Sequence, residues 1–383
     1  MAKRFLPYGR QWITEEDIQA VCDVLRGDWL TTGPTVQAFE AALSAQTLAP
    51  HMVVVNSGTA ALHAAYAAVQ LKPGDEVITT PLTFAATANA ALYVGASLRF
   101  VDVEADTGLI DAAAVNEAVT ANTRLVVAVD YTGQPADYDA LRRTTDRIGA
   151  QLIADAAHSL GATDQGRPVG TLADATTFSF HPVKPITTGE GGAIACHDAQ
   201  MARTMRDFRN HGLVRDPGQH THTDGGAWHQ EMQTLGYNFR LTDLQCALGL
   251  SQLSRLDALI ARRGEIACKY HGALADIDGI ELPVVRDNVT SGWHLYVIRA
   301  ADDKAQRRRL FDKLRALGVG VQVHYEPVHH HPYYRSLGFD PDACPNAIEF
   351  ASRAISLPIF PAMTNDDILW VVEQVRTAVN ETR

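Results

Sequence analysis

"MVVVNSGTAALHAAYAAVQLKPGDEVITTPLTFAATANAALYVGASLRFV", residues 52–101, decides the fold. Three short runs in it, "MVVV", "EVIT" and "LRFV", have the length and residue types of strands, whereas residues 59–70 and 83–94 between them are alanine-rich and of helical length. The alternation continues to residue 196: "LVVAV", "QLIA", "ATTFSF" and "GAIAC" are further strands, and residues 137–149 a further helix. Strands joined through helices pair in parallel, which predicts an α/β fold with a large, mostly parallel sheet covered by helices on both faces.

Outward from this block the pattern changes. Towards the N-terminus, Thr14 with Asp17 three residues on starts a helix whose Ile18, Val21 and Leu25 share a face and which Gly27 can end. On the other side, residues 213–237, "LVRDPGQHTHTDGGAWHQEMQTLGY", form a long surface loop. Thr242 to about Ala275 is helical, and "WHLYVIRA", a helix near 303–316, "VGVQVHY" and two final helices make a smaller α+β unit. The expected division is a large domain with the N-terminal segment at 1–255 and a small C-terminal domain at 256–383, as 383 residues allow.

Composition narrows the function. A net charge of −11, with "RRR" at 307–309 on the solvated face of a helix, suits no nucleic acid, so anions must be held by helix N-termini and single side chains. Five scattered cysteines, an odd number, are expected as buried thiols of a reducing compartment and show no zinc spacing. "MAKRFLPYGR" lacks an apolar signal region and no apolar run has membrane-spanning length, so the expectation is a cytoplasmic protein without a membrane partner.

Three places carry chemistry. In "NSGTAALHAAY" a β-run passes through Ser57, Gly58 and Thr59 into a helix, which is either an ordinary capped helix or a phosphate cradle of amides and hydroxyls; no dinucleotide or Walker pattern accompanies it. In "LIADAAHS" Asp155 ends a strand, where α/β sheets place ligands, and serves either as a helix cap or as partner to a ring nitrogen. Twenty-nine residues later, in "SFHPVKPITTGEGG", Lys184 is fixed between Pro182 and Pro185 as a candidate imine-forming amine. Cradle, acid and amine together are what pyridoxal phosphate requires. The consecutive His329, His330 and His331 point apart, and His220, His222 and His229 in the loop are solvated or interface residues, so no metal is expected.

These residues resemble the DegT/DnrJ/EryC1/StrS sugar aminotransferases along nearly the whole chain. "WLTTGP", "NSGTAAL", "TPLTFAATANA", "DAAHSLG", "FSFHPVKPITTGEGG", "RNHG", "GYNFRLTDLQCALG" and "VQVHYEPVHHHPYY" carry the likeness. The resemblance implies the aspartate-aminotransferase fold (PLP fold type I) and a homodimer with shared active sites. It implies Lys184 as the Schiff-base residue, Asp155 on the pyridine nitrogen, Phe84 against the ring face and His158 near the ring hydroxyl. Ser57, Gly58, Thr59 and Ser179 would bind phosphate, with Asn238 reaching in from the second subunit. Tyr8, Trp29, Leu30, Thr31, Thr32, His324 and Tyr325 would line the nucleotide-sugar side, beside Ser57, Ser179 and Asn238.

The implied reaction moves the amino group of L-glutamate, leaving 2-oxoglutarate, to a UDP-4-keto sugar. "PITT" after the lysine and "NFRL" match the pseudaminic acid branch, which aminates C4 of UDP-2-acetamido-2,6-dideoxy-β-L-arabino-hexos-4-ulose. Thr32 suits instead the UDP-4-amino-4-deoxy-L-arabinose branch, which has asparagine where Pro185 stands. Lys184 argues against the family's dehydratase branch, where histidine takes its place, and against a regulator that binds the cofactor without turnover.

Overall fold

The computed structural model describes residues 4–222 and 225–382. A seven-stranded sheet is built from β1 (His51–Val55), β2 (Glu76–Thr79), β3 (Ser97–Phe100), β4 (Thr123–Val129), β5 (Gln151–Asp155), β6 (Ala175–Ser179) and β7 (Gly192–Cys196), in the order β1-β7-β6-β5-β4-β2-β3. Every strand expected between residues 52 and 196 is present, and the helices Gly58–Ala68, Ala85–Tyr93 and Tyr138–Ile148 lie over the expected ranges. From β3 to β6 the pairing is parallel. β7 runs antiparallel to both β1 and β6, because residues 180–191 contain no helix and the chain folds back instead of crossing over.

Side chains along the central strands alternate between two cores. Val53, Val55, Leu125, Val127 and Ile153 pack into one core, and Met52, Val54, Val126, Ala128 and Leu152 into another on the opposite face. Both faces are covered, which is why these strands are apolar throughout.

The 213–237 loop contains one short ladder, β8 (Leu213–Val214) with β9 (Glu231–Met232). Beyond it lie Asp243–Leu253, capped by Thr242, and Leu256–Leu274; the expected single helical stretch breaks at Ser254 and Arg255. The second of these helices bridges two cores: Leu256, Leu259 and Ile260 join the large one, while Ile266, Ala267, Tyr270 and Leu274 join that of the C-terminal sheet. That sheet is antiparallel, with β10 (Ile280–Glu281), β11 (Tyr296–Ala300) and β12 (Ala354–Leu357) in that order. "VGVQVHY" forms no strand in it; Val319 and Gln322 make only isolated bridges, to Leu6 and Ser356. Gly318, at φ +95°, abuts Arg4 so closely that an added Cβ would lie 2.1 Å from its carbonyl oxygen, and Gly320 N donates to Leu6 O at 2.7 Å, so the N-terminal segment occupies that edge.

The expectation of buried cysteines is corrected in part, and the first helix buries an acid rather than an apolar face. In the helix Glu15–Arg26, Ile18 and Leu25 are 48% and 58% exposed, and the buried residue is Asp17. Its carboxylate accepts from Thr14 N, Ser251 Oγ, Gln252 Nε2 and Arg255 Nη2 at 2.6–2.9 Å, tying this helix to Asp243–Leu253. Of the five free cysteines, Cys196, Cys246 and Cys344 are buried, whereas Cys22 is half-buried and Cys268 exposed. No helix among the described residues is long and apolar enough to cross a membrane.

Candidate active site

A cavity of about 370 Å³ lies where the carboxyl end of the sheet meets the N-terminus of the helix Gly58–Ala68. It is lined by Ser57, Gly58, Thr59, Phe84, Asp155, His158, Ser179 and Lys184, and also by Tyr8, His324 and Tyr325. Sequence positions from 8 to 325 thus converge on one space.

Ser57 is the N-cap, its Oγ accepting from Ala60 N at 3.0 Å. The first amides of a helix have no intrahelical acceptor, so the Gly58 and Thr59 end presents donors and a positive dipole without any cation. Glycine is required at 58 because a Cβ there would stand 2.8 Å from Ser179 Cβ, at the end of β6.

Asp155 ends β5 and is only 6% exposed. Its Oδ2 accepts from Thr87 Oγ1 at 2.6 Å and its Oδ1 from Ala157 N at 3.2 Å. Burial pushes its carboxyl up, opposed by those two donors and by Lys184. A cationic ring nitrogen beside it would favour the carboxylate.

Lys184 follows β6 on a turn closed by its own N–H to His181 O at 2.9 Å, and Phe180 N to Gly191 O at 2.9 Å brings the chain back. Burial pulls the ammonium down to about 8 although Asp155 pulls the other way, so the amine is available as a base and nucleophile near neutral pH.

Around these groups the imidazoles are neutral. His158 Nε2 lies 3.1 Å from the Tyr325 hydroxyl while its buried Nδ1 has no partner, and burial holds its pKa well below the usual range. His324 bonds Ser356 Oγ through Nδ1 at 2.8 Å and is pushed down to about 4, again mainly by burial. Phe84, at the head of the helix Ala85–Tyr93, stays exposed with its ring 6.1 Å from that of Tyr325.

Trp29, Leu30, Thr31, Thr32 and Asn238 do not line this cavity. The 29–32 stretch is exposed and pinned to the start of Asp243–Leu253: Thr31 bridges Thr242, and Asp243 N donates to Leu30 O at 3.0 Å. Asn238 is exposed and bridges Asn210, with its carbonyl accepting from Asn56 Nδ2 at 3.4 Å.

Three residues near the site were not singled out in the sequence. Thr87 reaches Asp155 across 68 positions. His294 lines the cavity with its ring 4.4 Å from that of His158 and its Nδ1 buried and unpartnered; "WHLY" signalled only a strand. Arg263, 2% exposed, donates to the carbonyls of Ile359 at 2.9 Å, Trp293 at 3.3 Å, and His294 and Val183 at 3.4 Å, the last being the residue before Lys184. The "RR" at 262–263 carried no signal.

These residues fit pyridoxal phosphate. A helix N-terminus takes a phosphate, a buried carboxyl needs a cation, a desolvated amine is poised for a carbonyl, and the orphaned His158 Nδ1 faces none of its own kind of partner in the protein.

Comparison with known proteins agrees. Residues 11–376 match the DegT/DnrJ/EryC1/StrS aminotransferase family. The chain is 41% identical over 379 residues to the spore coat polysaccharide biosynthesis protein SpsC of Bacillus subtilis, covering 98% of this chain and 97% of that one. Spr1654 from Streptococcus pneumoniae in its PMP form superposes with a TM-score of 0.93 at 31% identity, over 99% of this chain and 100% of that one. PseC of Helicobacter pylori, an aminotransferase involved in the biosynthesis of pseudoaminic acid, gives 0.91 at 31% identity over the same shares. The chain belongs to the DegT/DnrJ/EryC1/StrS aminotransferase family and is a pyridoxal-phosphate-dependent sugar aminotransferase.

Proposed function

We propose that Lys184 and Asp155 carry the amino transfer and that the acceptor is C4 of a UDP-linked 4-keto sugar, UDP-2-acetamido-2,6-dideoxy-β-L-arabino-hexos-4-ulose, with L-glutamate as donor. The observation that carries the residue assignment is one cavity holding a desolvated lysine, a buried carboxyl and a helix N-terminus. Pyridoxal phosphate supplies an electron sink for cleaving the bond to hydrogen beside the transferred nitrogen. Lys184 Nζ would take that proton and deliver it to the carbon on the other side of the transferred nitrogen, and the same amine would serve the reverse sequence on the keto sugar. Asp155, steadied by Thr87 and Ala157 N, would hold the proton on the ring nitrogen. Ser57, Gly58, Thr59 and Ser179 would hold the phosphate, Phe84 would cover a ring face and His158 would meet the ring hydroxyl.

The sugar assignment is supported by the likeness to PseC and by Pro185 after the lysine. With few cations at hand, Tyr8, His324 and Tyr325 bind the nucleotide sugar through hydroxyl and imidazole groups. We take the enzyme to be a cytoplasmic homodimer in which Asn238 and the Trp29–Thr32 stretch complete the partner's site. Exposed Trp29, Leu30, Trp228, Met232 and Leu235 support this, being apolar side chains a second copy would cover. Thr32 favours a second acceptor, UDP-4-keto-arabinose.

The pyridoxamine form of the purified protein, offered each ketose and the 5-epimer of the first, tests the reading. The hexos-4-ulose is expected to discharge it with the highest kcat/KM. Preference for the arabinose compound would transfer the assignment to that branch, and discharge by neither would refute both.

A further inference from the structure

Away from the cavity, the 213–237 loop gathers three side chains that the amino transfer does not use. His220, His229 and Glu231 each offer a donor atom, and these atoms lie within 4.8 Å of one another. Backbone pairing places them there. In the β8–β9 ladder Val214 faces Glu231, and the turn Pro217–Gln219 returns the chain so that His220 meets the Val214 carbonyl. The His220 and His229 rings stand edge to face, 4.8 Å apart.

Two contacts go beyond proximity. His220 Nε2 lies 3.1 Å from Val214 O; a carbonyl only accepts, so Nε2 donates there and Nδ1 is the ring atom left for a metal. This is the outer contact that orients metal-bound imidazoles. The Glu231 carboxyl is fixed in place by main-chain donors, Thr221 N at 2.7 Å and His222 N at 2.8 Å. His229 Nε2 then sits 3.2 Å from Glu231 Oε1, a separation that a bridging cation would replace with two bonds.

We propose that His220, His229 and Glu231 bind a zinc-class divalent cation, with water completing the coordination. Two imidazoles and one carboxylate suit zinc or cobalt and are too poor in oxygen for calcium or magnesium. Donor atoms around tetrahedral zinc are about 3.3 Å apart, so the part-exposed side chains close by roughly 1 Å or a little more on binding. The ion joins the outgoing arm of the loop to its returning arm, ahead of Asn238. It therefore orders the loop and takes no part in the chemistry at Lys184.

The test uses the untagged, full-length, cofactor-loaded protein after dialysis against a chelator. Titration with cobalt(II) is expected to give one equivalent per chain and a visible ligand-field band without sulfur charge transfer, displaced by zinc. His229→Ala and Glu231→Gln should each weaken binding by about 100-fold or more, and Cys268→Ser should not change it. Zinc should slow tryptic cleavage at the exposed Arg215 in the unaltered protein and leave it unchanged in His229→Ala. Three results would overturn the site: no stoichiometric band, a band retained in both loop variants, or one that vanishes with Cys268→Ser, since that assigns the metal to the thiol.

Discussion

Asp155 is held by partners drawn from distant parts of the chain. Thr87 Oγ1 and Ala157 N fix both its oxygens, so replacing it with asparagine keeps the shape while removing the charge proposed to retain a proton on the ring nitrogen. Asp155→Asn is expected to bind cofactor yet lose roughly 10²–10³-fold in kcat, a size typical of one electrostatic contact to the reacting group; steady-state kinetics on the folded, cofactor-loaded variant check this. At this scale the sequence was informative where position along a strand determines function. Asp155 at the end of β5 and Lys184 between two prolines follow from local pattern. Thr87 and His294 do not, because each acts through a contact across tens of residues that no local period encodes.

Among elements, the helix Leu256–Leu274 connects site and small sheet through Arg263. The guanidinium satisfies carbonyls of Val183, Trp293, His294 and Ile359, and burial lowers its own pKa to about 10. Arg263→Met leaves those carbonyls unpaired and should destabilise the protein by roughly 2–4 kcal/mol, read from urea midpoints; Arg263→Lys, which keeps a donor, should lose less. A second prediction concerns the cradle. Gly58→Ala puts a Cβ 2.8 Å from Ser179 Cβ, so cofactor affinity is expected to fall by about 10-fold or more with little change in secondary structure, measured by equilibrium dialysis. The seven strands were legible because they are buried on both faces and apolar throughout, whereas "VGVQVHY" misled because it pairs with the sheet only at the single bridge from Gln322 to Ser356 and otherwise pairs with the N-terminal segment. The direction of β7 was illegible for a related reason: strand composition does not record whether the link before it contains a helix.

For the whole molecule, imidazoles held low by burial dominate the response to acid, His63 and His329 among them. Burial keeps His158 and His294 well below the usual histidine pKa and His324 at about 4. Below about pH 6.5 the unfolded chain takes up protons that the folded one refuses, so stability present above that pH is lost on acidification. Asp130 has the opposite sign. Burial raises it to about 7 despite bonds from Ser159, Tyr138 and Ala136, so between about pH 4 and 7 the folded state holds a proton that the unfolded state has released, and acid favours folding. Together the imidazoles, His63 and His329 included, outweigh Asp130 and the likewise raised Asp155, Glu104 and Asp207, which predicts a lower urea midpoint at about pH 5 than at about pH 7.5. Asp130→Asn should deepen that loss and His294→Gln should reduce it. Assembly is tested separately: mixing Lys184→Ala with an Asn238 variant that is itself strongly impaired should restore part of the activity, and no rescue after confirmed subunit exchange would contradict shared sites.

One lysine, its ammonium weakened by burial, is proposed to join the cofactor and move the proton. Borohydride reduction of the cofactor-loaded protein, followed by peptide mass spectrometry, tests it directly. The account predicts a pyridoxyl group on Lys184 Nζ alone, together with loss of the visible band. A label on another lysine, or a visible band that survives in Lys184→Ala, would contradict it.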